Sequence, residues 1–493
     1  MPRPASNAPA IGKSERARGK VPDLSGAARE MMAICLLHRE VKVSIYRKGR
    51  RSGVLALSVL GVAALAAAGC SSGSSSGSSG AGSTSAAATS GSASASGSPA
   101  SSQGGLGPAS VKDYLTYVGG KAGPADNSMA PVYVGFVNQQ GGQQVIGADA
   151  TTGSQMAVKY INAELGGVGG HPIQLVTCFI ASAEEEGTGC AQKFLANKNI
   201  HLVSMGGVVI GDQSFFATLG GKLPVVSGVA ALPIDGAQNN TVVLFGDGTH
   251  VLGPMGTYAK DVLHAKTAAI IFPNDPSTLP GAQAVQSALK AAGVTVKMGP
   301  YPPTQTDLTG VLTAAGATTA DMVVPFVSAN ACVNIAKALT QLGITDIKKI
   351  VSAPLCLNGQ VAAGLGGDFP KWTYSIASSL FGDPSDPGMP AYEAVAKKYS
   401  TPADAPDPWN IVDFGQMLTI DKVLNQVGYA NLSPSAILSA AKAFTGPQAL
   451  GAPALACGKY PNAPGICNDR SQFFEYEGKN MWVKAAGWLQ PVS

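Results

Sequence analysis

Short apolar runs alternate along the chain with segments whose apolar residues recur at helical spacing. Val132–Val137 is a compact β-branched run that suits a buried strand. The polar loop Asn138-Gln139-Gln140-Gly141-Gly142 follows it. Ala148–Leu165 then carries Val158, Ile161 and Leu165 at helical spacing and stops at Gly166-Gly167. Pro172–Thr177 gives a second strand. Strand, helix and strand make a βαβ unit, and a parallel sheet places ligands at the carboxyl ends of its strands. The alternation continues. Ser182 to Glu185 is a capping-box pattern opening a helix to about Lys198, Ile200–Ser204 is a strand, Asp212–Leu219 a helix and Leu223–Val226 a strand.

Val242–Phe245 reads as a crossover, after which the pattern restarts. Helices are expected at Thr249–Leu263, Gly281–Ala291, from Thr306-Asp307-Leu308-Thr309 onward, and at Ala331–Leu342. Strands are expected at Thr267–Phe272, Val294–Met298, Met322–Val327 and Ile350–Ser352. Lys371–Leu380 reads as the return crossover. Helices near Met389–Tyr399, Asp413–Val427 and Ser433–Ala443 would pack back on the first lobe, and Phe473–Val483 reads as a hairpin turning at Gly478. The expected class is α/β, with two doubly wound parallel-sheet lobes and a hinged cleft. The expected bounds are 130–246 for the N-terminal lobe, 247–371 for the C-terminal lobe, 372–450 for the crossover and returning helices, and 451–493 for a closing segment.

The formal net charge of +4 is a property of the leader. Residues 1–69 hold 12 Lys/Arg against 4 Asp/Glu, which leaves 22 against 26 in the remainder. A mildly acidic body argues against nucleic acid as partner. Arg47-Lys48-Gly49-Arg50-Arg51 is a basic start and Val54–Ala68 an apolar run of signal-peptide length. It ends in Ala67-Ala68-Gly69-Cys70, which resembles a bacterial lipobox and makes Cys70 the expected lipidation site, with anchoring on the outer face of the cytoplasmic membrane. Ser71–Pro108 is almost wholly Ser, Gly, Ala and Thr; it cannot bury a core and reads as a tether within a lead-in spanning 70–129.

The stretch GSQMAVKYINAELGGVGGHPIQLV, Gly153 to Val176, resembles the first helix and second strand of the branched-chain amino-acid-binding protein family. TQTDLTGVLTAAGATTADMVVPFV, Thr304 to Val327, resembles the same family where a Thr-Asp pair precedes a helix and an apolar strand. The resemblance spans about Val132 to Gln490. It implies a solute receptor of an ABC transporter with the type I periplasmic-binding fold, no cofactor, and a permease as partner. Binding groups are then expected at strand ends: Gln139, Gln140, Gly206, Gly207, Ser227, Gly228 and Val229 in one lobe, and Asn274, Asp275, Ser277, Ser328, Asn330 and Ser352 in the other. Ser227-Gly228 aligns with the family segment that holds an amino acid's carboxylate. Three positions depart from the family. Ala231 stands for a hydroxyl residue, Asn330 for an acid that meets the ligand ammonium, and Leu279 or Pro280 for an aromatic. An amide cannot offset a buried ammonium as a carboxylate does. A neutral amide or a carboxylate therefore fits about as well as an amino acid, unless Asp275 supplies the acid; Pro273 and Pro276 around it suggest a turn role instead.

Eight cysteines occur. Beyond Cys35 and Cys70, six remain, and an even number in an exported protein suggests disulfides. Fifteen connectivities are formally open. Sequence neighbours are the simplest: Cys178 with Cys190, where the family often has a bridge, Cys332 with Cys356, and Cys457 with Cys467. No CxxC or HxxxH spacing marks a metal site. Outside the Ser/Gly tether there is no GxSxG elbow, and there is no HExxH. A receptor is thus favoured over an enzyme, the alternatives being a ligand sensor coupled to a membrane signalling protein and, behind it, a cell-envelope enzyme.

Overall fold

The computed structural model describes residues 111–142, 147–401 and 405–492; the leader, Cys70 and the Ser/Gly tether lie outside the described residues. A short helix α1 (Tyr114–Val118), capped by the Asp113 carboxylate, precedes the first sheet. That sheet is built from β1 (Val132–Gln139), β2 (Ile173–Ile180), β3 (Ile200–Met205), β4 (Val225–Ala230) and β5 (Thr241–Asp247). Its order is β2-β1-β3-β4-β5, all parallel. The connecting helices are α2 (Ala148–Glu164), α3 (Glu184–Ala196), α4 (Asp212–Leu219) and α5 (Pro233–Ala237). α3 begins one residue later than the sequence pattern suggests: Ala183 is the cap position. The Glu186 carboxylate accepts the amides of Ala181, Ser182 and Ala183 at 2.7, 2.9 and 3.1 Å, because the third helical position is the one that reaches back. Val242–Phe245 lies within β5, a fully buried strand, so the crossing follows it.

The second sheet restarts with β6 (Thr267–Pro273), α6 (Leu279–Ala291), β7 (Thr295–Tyr301), α7 (Thr309–Ala314), β8 (Met322–Pro325), α8 (Ala329–Gln341), β9 (Val351–Ser352), α9 (Gly359–Gly364) and β10 (Thr373–Ile376). Its two ladders, β7-β6-β8 and β12-β11-β10-β9, join through a parallel bridge between Val323 and Ile350, with the Val323 amide 2.8 Å from Lys349 O. Strands 7-6-8-9-10 thus repeat the order 2-1-3-4-5 of the first sheet. Thr373–Ile376, expected in a crossover, is an interior strand here, paired in parallel with β9 and antiparallel with the C-terminal hairpin. The segment expected as one helix from Thr249 to Leu263 is broken into a 3-10 turn at His250–Leu252, a helical turn at Pro254–Thr257 and a π-turn at Tyr258–Val262. Pro254 has no amide to donate, so the helix restarts there.

From β10 the chain returns to the first sheet as α10 (Met389–Tyr399), α11 (Pro408–Val427) and α12 (Pro434–Lys442). These helices, with α1 and α2, bury one face of the first sheet around Phe414, Met417, Leu418 and Leu424; α3 and α4 bury the other around Phe194 and Phe215. α2 and α11 cross closely at Gly153, where a Cβ would lie 2.4 Å from Asn410 O. The chain ends in β11 (Ser471–Gly478) and β12 (Met481–Leu489), which extend the second sheet. The hairpin turns at Lys479-Asn480, both at φ near +55° (54° and 58°), rather than at Gly478; paired left-handed residues match the strand twist. Three disulfides join the sequence neighbours Cys178–Cys190, Cys332–Cys356 and Cys457–Cys467. The last closes a loop that covers the outer edge of β5, where the Val243 amide bonds Gly465 O and the Cys467 amide bonds Val243 O.

Candidate functional site

The chain passes between the lobes three times: after β5, between β10 and α10, and between the stapled loop and β11. These crossings are stitched together by side chains. Asn468 Nδ2 donates to Phe245 O (3.1 Å), Ser471 Oγ to Val251 O (2.7 Å) and Gln472 Nε2 to Ser378 O (2.8 Å). The carboxyl ends of β5 and β6 meet here: a Cβ on Gly281, at the start of α6, would sit 3.3 Å from Gly248 O. In both sheets the strand order reverses between the first and third strands of the repeat, and the crevice outside those strand ends is where α/β sheets bind ligands.

In the first lobe, that position is the end of β1 beside the end of β3. Asn138 is fully buried; its Nδ2 donates to Gly147 O and to Thr151 Oγ1 (2.9 Å). The same hydroxyl donates to Gln140 Oε1 at 2.7 Å, which fixes the half-buried Gln140. Gln139 is fully buried, and its Oε1 accepts the Val209 amide at 2.9 Å, tying the loop after β3 to the end of β1. Gly206 and Gly207 extend the pairing: the Gly206 amide donates to Val137 O and Gly207 O accepts the Gln139 amide. Gly206 must be glycine, since a Cβ would approach Asn138 Oδ1 to 2.7 Å. At the end of β4, Ser227 is fully buried and donates to Val229 O (3.0 Å), while Val229 is half-buried. Gly228 sits against α11, with a would-be Cβ 2.6 Å from Val412 Cγ1 and 2.7 Å from Gln416 Oε1.

Sequence reasoning missed the face of α11 that clamps these strand ends. Gln416 Nε2 donates to Ser204 Oγ (2.7 Å), Val226 O (3.0 Å) and Met205 O (3.2 Å), locking β3 and β4 at their carboxyl halves. Asp413 lies one turn before it, reached by Ser154 Oγ at 3.4 Å, and burial holds its carboxyl well above the ordinary carboxylate range. Asn410, Asp413 and Gln416 recur every third residue in the otherwise apolar amino-terminal half of the helix, a polar stripe that was readable in the sequence.

The second lobe is simpler. Asn274 is exposed, with its amide on Tyr301 O (2.8 Å). Asp275 has the turn role: its Oδ1 accepts Ser277 N (2.9 Å), Ser277 Oγ (2.6 Å) and Thr278 N (3.0 Å). Partial burial raises its pKa, and those bonds outweigh it, leaving the carboxyl below its ordinary value. Ser328 is exposed at the cap position of α8, and Asn330 lies in the first turn of that helix. Ser352 is buried and donates to Pro325 O at 3.1 Å.

Two carboxyl groups not singled out in the sequence lie behind the ends of β3 and β4. Asp212 opens α4 and Asp235 lies in the first turn of α5; they are 0% and 1% exposed. They bond one another, and Asp235 Oδ2 also accepts the Leu232 amide at 3.0 Å. Burial and the neighbouring carboxylate raise Asp212, and burial raises Asp235 despite the bond from Asp212. Both carboxyls therefore hold their protons to higher pH than exposed ones do. Among the described residues, no group of three or more His, Cys, Asp and Glu is placed to hold a metal ion, and no helix is long and apolar enough to cross a membrane.

Two lobes of one strand order, joined by three crossings beside their carboxyl ends, define the type I periplasmic-binding fold. The chain belongs to the periplasmic binding protein family, whose model matches residues 131–459. No curated protein matches it. Solved structures share the fold. An ABC transporter substrate-binding protein from Sphaerobacter thermophilus has 16% identity and TM-score 0.60 over 73% of this chain and 98% of its own. A leucine-binding protein from Thermotoga maritima has 15% identity and TM-score 0.56 over 74% and 99%. A solute-binding protein from R. palustris in complex with 4-hydroxybenzoate has 16% identity and TM-score 0.57 over 73% and 97%.

Proposed function

We propose that this protein is the extracellular receptor of an ABC importer, lipid-anchored through Cys70, that captures a small amino acid, amide or carboxylate by closing its lobes. The observation that carries this reading is the set of three crossings stitched by Asn468, Ser471 and Gln472 beside the carboxyl ends of both sheets. Short crossings of this kind act as a hinge, and a ligand touching both lobes favours the closed form by its differential affinity. A membrane permease then distinguishes closed from open. The groups expected to meet the ligand are Gln140, Val229, Asn274, Ser277, Ser328 and Asn330 around the cleft. Gln139, Gly206, Gly207, Ser227, Gly228, Asp275 and Ser352 shape the strand ends beneath them. No covalent step is required.

The test is a thermal-shift screen of the full chain against amino acids, short amides and carboxylates, with small-angle scattering on each hit. A ligand that binds only the native state adds about 2.7 kcal/mol at a hundredfold excess over Kd. Hits that raise the melting temperature and shrink the radius of gyration support capture by closure. A hit that is chemically converted, or that leaves the radius unchanged, sinks it.

A further inference from the structure

The charged groups at the carboxyl ends of the strands decide what kind of solute the cleft can hold. The segments at residues 138–142, 206–211, 274–280, 326–331 and 353–359 contain no lysine or arginine. Several carboxylates flank them, with partners of their own. Glu186 accepts three amides at the start of α3, as described above. Glu184 accepts the Gly211 and Ser214 amides at 2.8 and 2.7 Å at the start of α4. Asp212 and Asp235 are buried against one another. Asp247, at the end of β5, is taken by the His250 ring nitrogen at 2.7 Å and by Thr249 Oγ1 at 2.9 Å. In the second lobe Asp275 caps Ser277 and Thr278, and Asp307 accepts the Thr309 amide at 3.0 Å and its hydroxyl at 2.7 Å.

The backbone adds a field of one sign. Each parallel strand is followed by a helix, so the amino ends of α2, α3, α4, α6 and α8 all begin at the carboxyl edges of the sheets. A helix amino terminus carries a partial positive charge. It is compatible with a carboxylate or a neutral dipole and opposes an ammonium. Beside the second crossing Asp383 pairs with Lys484 at 2.6 Å and Asp386 accepts from Ser379 Oγ and the Gly388 amide. Asp413, reached by Ser154 Oγ, is held by burial towards its neutral form, so a desolvated ammonium would meet little counter-charge from these acids.

We propose that the cleft takes small carboxylates or neutral amides and discriminates against solutes that carry an ammonium group. This rests on the receptor reading above and narrows its ligand class. The experiment is calorimetric titration of the full chain with matched sets that differ only at the amino group: leucine, 4-methylpentanoate and 4-methylpentanamide; phenylalanine, 3-phenylpropanoate and 3-phenylpropanamide. The expected result is binding by at least one ammonium-free member, with its amino-acid counterpart weaker by about tenfold or more, the signature of an uncompensated charge. An amino acid binding as tightly as its ammonium-free counterparts overturns the inference and leaves the receptor reading standing. No binding by any member of either set overturns both.

Discussion

The two lobes repeat one strand order and hold it by different means. The first lobe interlocks buried polar side chains: Asn138 with Thr151, Gln139 with the Val209 amide, and Gln416 across β3 and β4. It also carries the helices α10, α11 and α12, which arrive from far along the chain. The second lobe ends β6 and β8 at Pro273 and Pro325, caps its loops locally, and staples α8 to the turn after β9 through Cys332–Cys356, both fully buried. The carboxyl edge of one sheet is thus held by long-range clamps and that of the other by short-range caps and a covalent link, the first lobe's own two disulfides joining β2 to α3 and closing the loop beside β5. A topology does not dictate how the carboxyl edge of its sheet is made rigid.

The largest test of this contrast is Phe414→Ala. Phe414 is fully buried on α11, with ring centroids 5.7 Å from Tyr114, 5.3 Å from Tyr392 and 6.3 Å from Tyr160. Its truncation should cost about 3–5 kcal/mol in denaturant unfolding and loosen the whole first lobe. Hydrogen exchange should show β3 and β4 losing protection while β6 and β8 keep theirs. Equal loss in both lobes would contradict their separate construction.

The converse test removes the staple. Replacing Cys332 and Cys356 together by alanine releases a loop whose closure is worth about 3 kcal/mol on chain-entropy grounds. Protection should fall in α8 and β9 and hold in β1 and β3. A loss centred on the first lobe would sink the assignment of this link to the second.

How far the sequence revealed this molecule follows the same division. Strands with unbroken apolar runs and helices with clean spacing, such as Asp212–Leu219 and Met389–Tyr399, were legible to the residue. So was the capping role of Asp275, because prolines beside a carboxylate mark a turn. The breaks came where distant chain decides the outcome. Thr373–Ile376 is a strand only because β9 and β11 flank it. The clamp at Gln416 depends on a helix some 190 residues from the strand it locks, as the separation of Gln416 and Val226 shows. Local pattern carries no record of such a pairing.

The smallest expected effect concerns the buried carboxyl pair Asp212 and Asp235, which has no counterpart in the second lobe among the described residues. Burial, and for Asp212 the neighbouring carboxylate, raises both native carboxyls above the ordinary 3.8. Between the unfolded and folded values the native state binds more protons than the unfolded chain, so stability falls as pH rises through that window. The negative groups around the pair, Glu184 and Asp247, act in the same direction. Asp212→Asn keeps a donor to the Asp235 carboxylate and removes the ionisation. The variant should be more stable than the natural protein by about 1–2 kcal/mol at pH 8, with the gap closing towards pH 5. Urea unfolding of both proteins across that range is the measurement. Parallel pH curves would mean that the fold does not raise the Asp212 carboxyl, and the edge of the first lobe would then be pH-insensitive at this point.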